Sequence, residues 1–550
     1  MTIKSIAFEP AHKRVTFTGN KTVLEIASEN GVPIDQPCRG NGTCGKCKIT
    51  VAPSTAPSIQ EKQLLTHAEL NANIRLACQT QALDNMCICI ENSEAAGIQT
   101  LGIAEQVPES NIMPEVTANN VKEKFDADAN GGIYGIALDI GTTTLAASLV
   151  NLQTGATEAV AAGLNPQTAY GDDVISRISY AAKSLENLLR LQACVIDAVN
   201  GLIAELLKKS AVDPLRIFHF IAAGNATMEH LFVGEDVSSI GVAPFAPKFY
   251  KIPRKRAAEL ALQINPAAYV DLMPNISGHV GGDVTAGIYF TGLYRQEAPS
   301  LLIDLGTNSE MALGGSNGIL ACSAAAGPAF EGARIHRGMR AEPGAIDEVR
   351  IREDGTFEIG TINERQPRGF CGSGLIDLVA ALREAEIIEA SGAFAKKDID
   401  SDRFRRLYER IRKSDFGREI VIAEGEHGPI TLTQRDIREV QLAKGAIASG
   451  IEMLLAKQAL TPDEIDSVYL AGAFGNYLDK NSATRLGILP KVNASKIIAA
   501  GNTAGKGCIK ALLSNDCWEE IDAFLKNTTH LELAASGHFQ ERFVANMAFE

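Results

Sequence analysis

Aromatic side chains are scarce in this 550-residue chain: one tryptophan, and 6% Phe, Trp and Tyr together. A face of stacked rings, of the kind that grips sugars or unpaired bases, is not expected from that composition. Positive charge is in deficit as well. Lys and Arg number 52 against 66 Asp and Glu, a formal net charge of −14. A nucleic-acid binder needs a basic footprint to displace counterions, so no nucleic-acid partner is expected. The short basic runs KIPRKR (251–256) and RFRRLYERIRK (403–413) read as solvated faces. No uninterrupted apolar run reaches 18 residues, so no membrane span is expected. The opening MTIKSIAFEP carries no apolar signal stretch. With 11 cysteines in so long a chain, a reducing cytoplasm is expected rather than a disulfide-stapled secreted fold. A P-loop is missing too: GNTAGKG (501–507) lacks a Ser or Thr after Lys506 and reads as a loop capping a helix.

What is present is the composition of globular domains, 45% hydrophobic and 21% charged, in a length that suggests roughly two to four of them. Residues 1–95 read as a small α+β domain. SIAFEP and RVTFTG are strands around a turn, and KTVLEIASENG (21–31) is a helix with Val23, Leu24, Ile26 and Ala27 on its apolar side. CKITVA and MCICIE are further strands. Between them lies CRGNGTCGKC. Cys38, Cys44 and Cys47, with the distant Cys78, give the spacing C-x5-C-x2-C-x30-C. Three thiolates on one tight loop can surround an iron pair, and Gly40, Gly42 and Gly45 let the backbone curl and aim N–H groups at sulfur. The plant-type pattern is C-x4-C-x2-C with a remote fourth cysteine, one residue shorter. Iron–sulfur ligation is favoured over structural zinc, which prefers paired C-x2-C knuckles, and over an unligated nest. The other seven cysteines read as small buried hydrophobes. Residues 1–90 resemble a ferredoxin-type 2Fe–2S domain of β-grasp fold, which implies one such cluster on Cys38, Cys44, Cys47 and Cys78.

Residues 96–130, with Pro108, Pro114 and alternating charge, read as a mobile linker. Beyond it the chain repeats itself. GIALDIGTTTLAASLV carries Asp139, Gly141, Thr142, Thr143 and Thr144; LLIDLGTNSEMALG carries Asp304, Gly306, Thr307, Asn308 and Glu310. Each is an apolar strand, an aspartate, a Gly-Thr turn and a second apolar strand. Two such turns facing each other would hold a polyphosphate, with hydroxyls and N–H groups on its oxygens and aspartates near Mg²⁺ or its waters. A third glycine turn, LAGAFGNYL, follows near the end with Gly472 and Gly475. The order resembles the actin-like ATPase (ASKHA) superfamily, in which the first two elements bind phosphate and the glycine turn lies by adenosine. A duplicated actin-like fold is therefore expected, with a first subdomain at 131–210 and the remainder at 211–550.

Several stretches go beyond the generic turns: NPQTAYGDDVISRI (Asn165, Gln167, Asp172, Asp173, Arg177), AGNATMEHLF (Asn225, Thr227, His230), GVAPF, ISGHVGGD (His279, Asp283), GPAFEGARIHRGMR (Glu331, Arg334, Arg340) and AGAFGNYLD. His230 on a helix face reads as a satisfied histidine; His279 beside Asp283 is open between packing and function. With the cysteine domain in front, these stretches make nearly the whole chain resemble the reductive activators of corrinoid enzymes. The resemblance implies ATP-dependent, one-electron reduction of a corrinoid protein from Co(II) to Co(I) in a methyltransferase or O-demethylase system, fed by a low-potential electron donor and compatible with a homodimer. It implies that Asp139 and Asp304 orient Mg²⁺ and water, that Gly141, Thr142, Thr143, Thr144, Gly306, Thr307 and Asn308 hold phosphates, that Gly472 and Gly475 give adenosine room, and that Asp283 is a base or positions water. Two other functions compete: an iron–sulfur ATPase that activates a different enzyme class, and a ferredoxin-fused small-molecule kinase.

Overall fold

The computed structural model describes residues 3–550 except 11, 33, 35–39, 41, 43–44, 66, 91–111, 126–130, 397–401, 415, 426–427, 476 and 535. At the N-terminal end, strands β1 (Lys4–Glu9), β2 (Lys13–Phe17), β3 (Lys48–Ala52), β4 (Ile74–Leu76) and β5 (Met86–Cys89) form one sheet in the order β2-β1-β5-β3-β4. β1 and β5 pair in parallel and the other neighbours antiparallel, the expected β-grasp. Helix α1 (Val23–Glu29) starts where Thr22 and Glu25 cap each other reciprocally. It buries Val23, Leu24, Ile26 and Ala27 against Ile6, Phe8, Ile49 and Ile88 of the sheet. Each valine, leucine or isoleucine side chain so buried stabilises the domain by about 1.5–3 kcal/mol. MCICIE forms the expected strand β5, but Cys87 and Cys89 alternate outward from it and are exposed, which corrects the reading of them as buried hydrophobes.

The linker expectation needs correction. Residues 91–111 and 126–130 lie outside the described residues, but 112–125 are folded onto the next domain. Val116 and Val121 are fully buried, and the Phe125 ring lies 5.1 Å from Phe218 and 5.0 Å from Tyr269. The polar side of the segment is clasped by Arg254, which donates to Glu115 Oε1 and Oε2 at 2.9 and 2.8 Å and to Asp271 Oδ1 at 2.8 Å.

Two lobes follow. In the first, β6 (Tyr134–Ile140), β7 (Thr144–Asn151) and β8 (Thr157–Leu164) form an antiparallel meander. The long helix α2 (Leu185–Ser210) then leads to β9 (Ile217–Gly224), which pairs with β6 in parallel. β10 (Lys255–Arg256) and β11 (Tyr269–Leu272) complete the sheet. The first lobe therefore does not stop at residue 210: strands up to 272 belong to its sheet. In the second lobe, β12 (Ser300–Asp304), β13 (Ser309–Gly314) and β14 (Ile319–Ala324) repeat the meander. After helix α5 (Gln434–Lys457), β15 (Ser467–Ala471) and β16 (Ile497–Gly501) extend it in parallel. The orders β8-β7-β6-β9-β11 and β14-β13-β12-β15-β16 correspond strand for strand, so the duplication seen in two motifs extends to both sheets. Helix α5 (Gln434–Lys457) begins at the expected reciprocal cap of Thr433 and Asp436. α3 (Ala226–Phe232) and α4 (Gly282–Thr291) belong to the first lobe, and α6 (Thr503–Leu512) follows β16. Their junction is tight: a Cβ on Gly507 would lie 2.3 Å from the Ala286 carbonyl, so α4 and α6 cross only because position 507 is glycine. No helix among the described residues is long and apolar enough to cross a membrane.

Candidate nucleotide and cluster site

Both Gly-Thr turns sit at strand ends. Asp139 and Asp304 are at the C-terminal ends of β6 and β12, with Gly141–Thr142–Thr143 and Gly306–Thr307–Asn308 at the turns. Backbone shape demands the glycine at 141, where a Cβ would lie 2.5 Å from the Thr144 carbonyl. The first turn is braced from behind by NPQTAYGDDVISRI. Asn165 Nδ2 donates to the Gly141 carbonyl at 2.9 Å, and Arg177 donates to the carbonyls of Thr142 and of Gly171, the latter at 2.8 Å. Arg177 is fully buried, and burial lowers its pKa to about 10. Its planar fork fixes two separate backbone segments at once. Asn225, the N-cap of α3, donates to Thr142 Oγ1 at 3.1 Å. In the second turn, Thr307 Oγ1 donates to Glu331 Oε1 at 2.5 Å and the Thr307 carbonyl accepts from Gly327 N at 2.9 Å.

At the bases of the turns the fold gathers acids. Burial, then Asp283 and Asp304, push Asp139 up to about 7, against a hydrogen bond from Asn502. Burial and then Asp304 push Asp283 up to about 7, and burial alone takes Asp304 to about 6. Glu310 on β13 is driven well above its usual range by burial and by Asp283 and Asp304, although Ser323 Oγ donates to it at 3.1 Å. Glu229 on α3 is raised likewise by burial and Asp283; Asn275 Nδ2 donates to its Oε2 at 2.9 Å. These carboxyls lie close enough to repel one another in a low-dielectric cleft, an arrangement that a divalent cation relieves. The cluster contains all three predicted acids, Asp139, Asp283 and Asp304. Gly472, in the left-handed region (φ 81°), lies against the same group: a Cβ there would be 2.8 Å from Asp304 Oδ1. Gly475 is buried against β15, where a Cβ would come within 3.1 Å of Leu470 Cβ.

Sequence reasoning missed Glu229, Asn502 and the role of Glu310. Asn502 does cap α6, accepting from Gly505 N at 2.7 Å, as the reading of GNTAGKG required. The side chain that starts that helix also reaches Asp139. A helix cap at the end of a parallel strand, facing a duplicated turn, was the available signal. His230 is the satisfied histidine expected, with Nδ1 2.6 Å from the Ala226 carbonyl and Nε2 accepting from Phe249 N at 3.2 Å. His279 packs on Phe245, ring centroids 4.7 Å apart. Glu115, His219 and Asp271 place possible ligand atoms within 4.8 Å of one another. The Arg254 guanidinium already supplies positive charge there, and Glu115 and Asp271 are both held below the usual carboxylate range despite burial. That group is a structural clasp.

Beyond the tips of both turns lies a cavity of about 390 Å³. Thr143, Thr307 and Asn308 line it, as do Asp172 and Asp173 of the first lobe, Glu331, Arg334 and Arg340 of the second, and Lys46 of the β-grasp domain. Lys46 Nζ donates to the Gly338 carbonyl at 2.9 Å. On the other lobe, Arg190 Nη1 donates to the Glu29 carbonyl at 2.9 Å. The β-grasp domain is thus docked on both lobes.

Of the predicted cysteine set, Cys38 and Cys44 lie outside the described residues. Cys47 and Cys78 are buried and unbridged, with Sγ atoms 3.4 Å apart. Gly40, Gly42 and Gly45 all have φ between 68° and 76°, and a Cβ on Gly42 would strike the Gln79 side chain at 2.5 Å. Two converging thiols, Cys47 beside Gly45 and Cys78 just after β4, suit a thiolate-ligated cluster.

Three family models match in the order the fold presents: a 2Fe-2S iron-sulfur cluster binding domain over residues 8–83, the RACo middle region over 134–296, and the C-terminal ASKHA domain of RACo over 298–550. The boundary near 297 agrees with the division between the two sheets. The corrinoid activation enzyme RamQ of Eubacterium limosum is 36% identical over an alignment of 595 residues, covering 99% of each chain. A [Co(II) methylated amine-specific corrinoid protein] reductase of Methanosarcina barkeri is 27% identical, covering 76% of this chain and 77% of its own. Among solved structures, a reductive activator for corrinoid,iron-sulfur protein is similar at TM-score 0.69 and 31% identity, covering 99% of this chain and 98% of its own.

Proposed function

This chain belongs to the RACo family of corrinoid reductive activators, and from that premise we propose that it returns the cobalt of a corrinoid protein from Co(II) to Co(I) with one electron, at the expense of ATP. The observation that carries the reading is the docking of the cysteine-loop domain at the mouth of the cavity between two duplicated turns, above a nest of protonatable acids. Cys38, Cys44, Cys47 and Cys78 are the proposed ligands, and a 2Fe–2S cluster held by them supplies a one-electron carrier near about −400 mV. Cobalamin-type Co(II) is harder to reduce, and each ~59 mV of shortfall costs about 1.4 kcal/mol for one electron. The nucleotide cleft is assigned the task of overcoming that shortfall. Nucleotide binding favours the conformation that engages the corrinoid protein, and hydrolysis releases it, a population shift driven by differential affinity.

Within the cleft, Thr142, Thr143, Thr144, Thr307 and Asn308 are assigned to the phosphate oxygens, with Gly141 and Gly306 giving the turns their shape. Asp139 and Asp304 would hold Mg²⁺ and its waters, and Gly472 and Gly475 would border the adenosine. Asp283, which burial and the neighbouring Asp304 raise to about 7, is assigned as the group that would position water or act as its base. A low-potential reductant as donor, a homodimer and a cytoplasmic setting accompany this reading. The test is anaerobic reduction of a Co(II) corrinoid protein, followed optically, with and without ATP. An ATP-dependent yield of Co(I) is expected; equal yields sink the proposal.

A further inference from the structure

Glu229 on α3 is fully buried, and no basic side chain is among the groups that act on it. Asn275, only 3% exposed, donates from Nδ2 to its Oε2 at 2.9 Å. The other half of each planar group is left over: Glu229 Oε1 and Asn275 Oδ1 are both buried with no hydrogen-bond partner. Turning the amide over does not help, because an amide has one donor end and a carboxylate has none. A buried acceptor left unpaired is costly, and these two belong to groups already joined by one hydrogen bond. Oε1 is also pressed against the start of α4, where a Cβ on Gly282 would lie 2.2 Å from it and 2.6 Å from the Met273 carbonyl. Oxygens crowd this spot, and what they lack is hydrogen.

We infer that Glu229 keeps its proton on Oε1 and donates it to Asn275 Oδ1, closing an acid–amide pair that positions Asp283 relative to the first phosphate turn. One proton satisfies both orphaned oxygens at once. It also spares the acid nest a further negative charge: burial and Asp283 disfavour the ionised form, against Asn275 and the Gly224 amide, which favour it. The pair lies between the two elements it holds in register. Asn225, the N-cap of α3, donates to Thr142 Oγ1 at 3.1 Å. Asp283 follows Gly282 in the first turn of α4. Gly281 packs so close to α3 that a Cβ would lie 2.4 Å from the Asn225 Cα. Asn275 stands on the segment that leads from β11 into α4. The two hydrogen bonds between Glu229 and Asn275 therefore clamp α3 to the approach to α4, and fix Asp283 against the turn that Asn225 holds. Glu229 is a positioning residue, not a cation ligand. That role rests on the reading of the cleft as the nucleotide site; the proton does not.

The proton is tested on the nucleotide-free holoprotein at pH 8, above the values near which Asp139 and Asp283 titrate. The infrared difference spectrum, wild type minus Glu229→Gln, is expected to hold one protonated-carboxyl band that shifts in D₂O, and no carboxylate bands. Carboxylate bands in its place, the sign of a charged Glu229 holding a cation or a water, overturn the inference. The positioning role is tested by Mg·ADP affinity, measured by equilibrium dialysis at unchanged iron content. Glu229→Met keeps the length of the side chain and removes both hydrogen bonds, and binding about fivefold weaker is expected. Glu229→Gln offers one donor and one acceptor, as the protonated acid does, and is expected to restore affinity to within about twofold with the wild-type pH dependence. A Gln variant as weak as the Met variant, or a Met variant at wild-type affinity, overturns the positioning role. Where Glu229→Met does not fold, Asn275→Ala removes the same two hydrogen bonds from the other side and is read by the same criterion. A wild-type protein that shows the protonated band but binds no Mg·ADP overturns the reading of the cleft and the positioning role with it, while the proton stands.

Discussion

At the scale of single residues the cleft is defined by acids that hold protons they would ordinarily have lost. Asp139 and Asp283 are pushed up to about 7 and Asp304 to about 6, with burial the leading cause in each. Binding of a Mg²⁺-nucleotide requires carboxylates, so these groups must release protons as it binds. The sign follows from linkage: above the raised pKa values the protons are already gone, and below them binding works against protonation. Affinity for Mg·ATP is therefore expected to rise as pH climbs from 5.5 to 8 and to level off above about 7.5. Asp139→Asn should weaken binding and flatten that slope, and isothermal titration in two buffers of different ionisation heat would read the released protons. A flat wild-type profile would show that these acids are not cation ligands. The cysteines make a separate prediction. Replacing Cys78 by serine removes a sulfur 3.4 Å from Cys47 and puts a harder ligand in its place. The anaerobically purified variant should lose its visible absorption and fall well below about two irons per chain; zinc in the wild type would remove the cluster assignment altogether.

At the scale of elements, each phosphate turn depends on what stands behind it. Arg177 ties the Thr142 and Gly171 carbonyls to the first lobe from a fully buried position. Arg177→Met keeps the volume and removes the donors, stranding two carbonyls at about 1–3 kcal/mol each. A lower Tm and a weakened nucleotide affinity are expected together; a lower Tm with unchanged affinity would show that the brace serves folding alone. Much at this scale was legible beforehand because it is local. The Thr433–Asp436 cap, the helix at 23–29 and the strand–turn–strand pair of each lobe follow from spacings of two to four residues; the third strand of each meander does not. The bracing of the turn was half legible, since Asn165, Gln167 and Arg177 announced a polar knot but not what it held. The acids Glu229 and Glu310 were hidden for another reason. Glu229 lies in a short buried helix, all of whose residues are buried, and no periodicity distinguishes an acid aimed at Asp283 from one facing water. The lobe boundary was misplaced because β9 and β11 join the first sheet only through parallel pairing over a long crossover, which leaves no local mark.

At the scale of the whole molecule, the β-grasp domain bridges the two lobes through contacts that no sequence pattern encodes. Glu29 meets Arg190 across 161 positions and Lys46 meets Gly338 across 292. Near the first of these, Gly31 packs so close to Tyr170 that a Cβ would lie 2.8 Å from its hydroxyl. A domain held by both lobes feels any change in the angle between them, and cleft closure on a ligand is such a change. Under the proposed function, cleft closure on ATP would act on the cysteine loop mechanically, through its seat. Arg190→Glu tests the seat. It replaces a donor to the Glu29 carbonyl with an anion that faces that carbonyl and repels the Glu29 carboxylate, while leaving both phosphate turns untouched. Iron content and nucleotide affinity are expected to stay within about twofold of wild type. Small-angle scattering should show a larger radius of gyration as the β-grasp domain leaves the first lobe. The ratio of Co(I) formed with ATP to that formed without should fall, because binding in the cleft no longer moves the seat. Superimposable scattering curves and an unchanged ratio would mean that the contact at Arg190 is incidental, and that coupling runs through the second lobe alone.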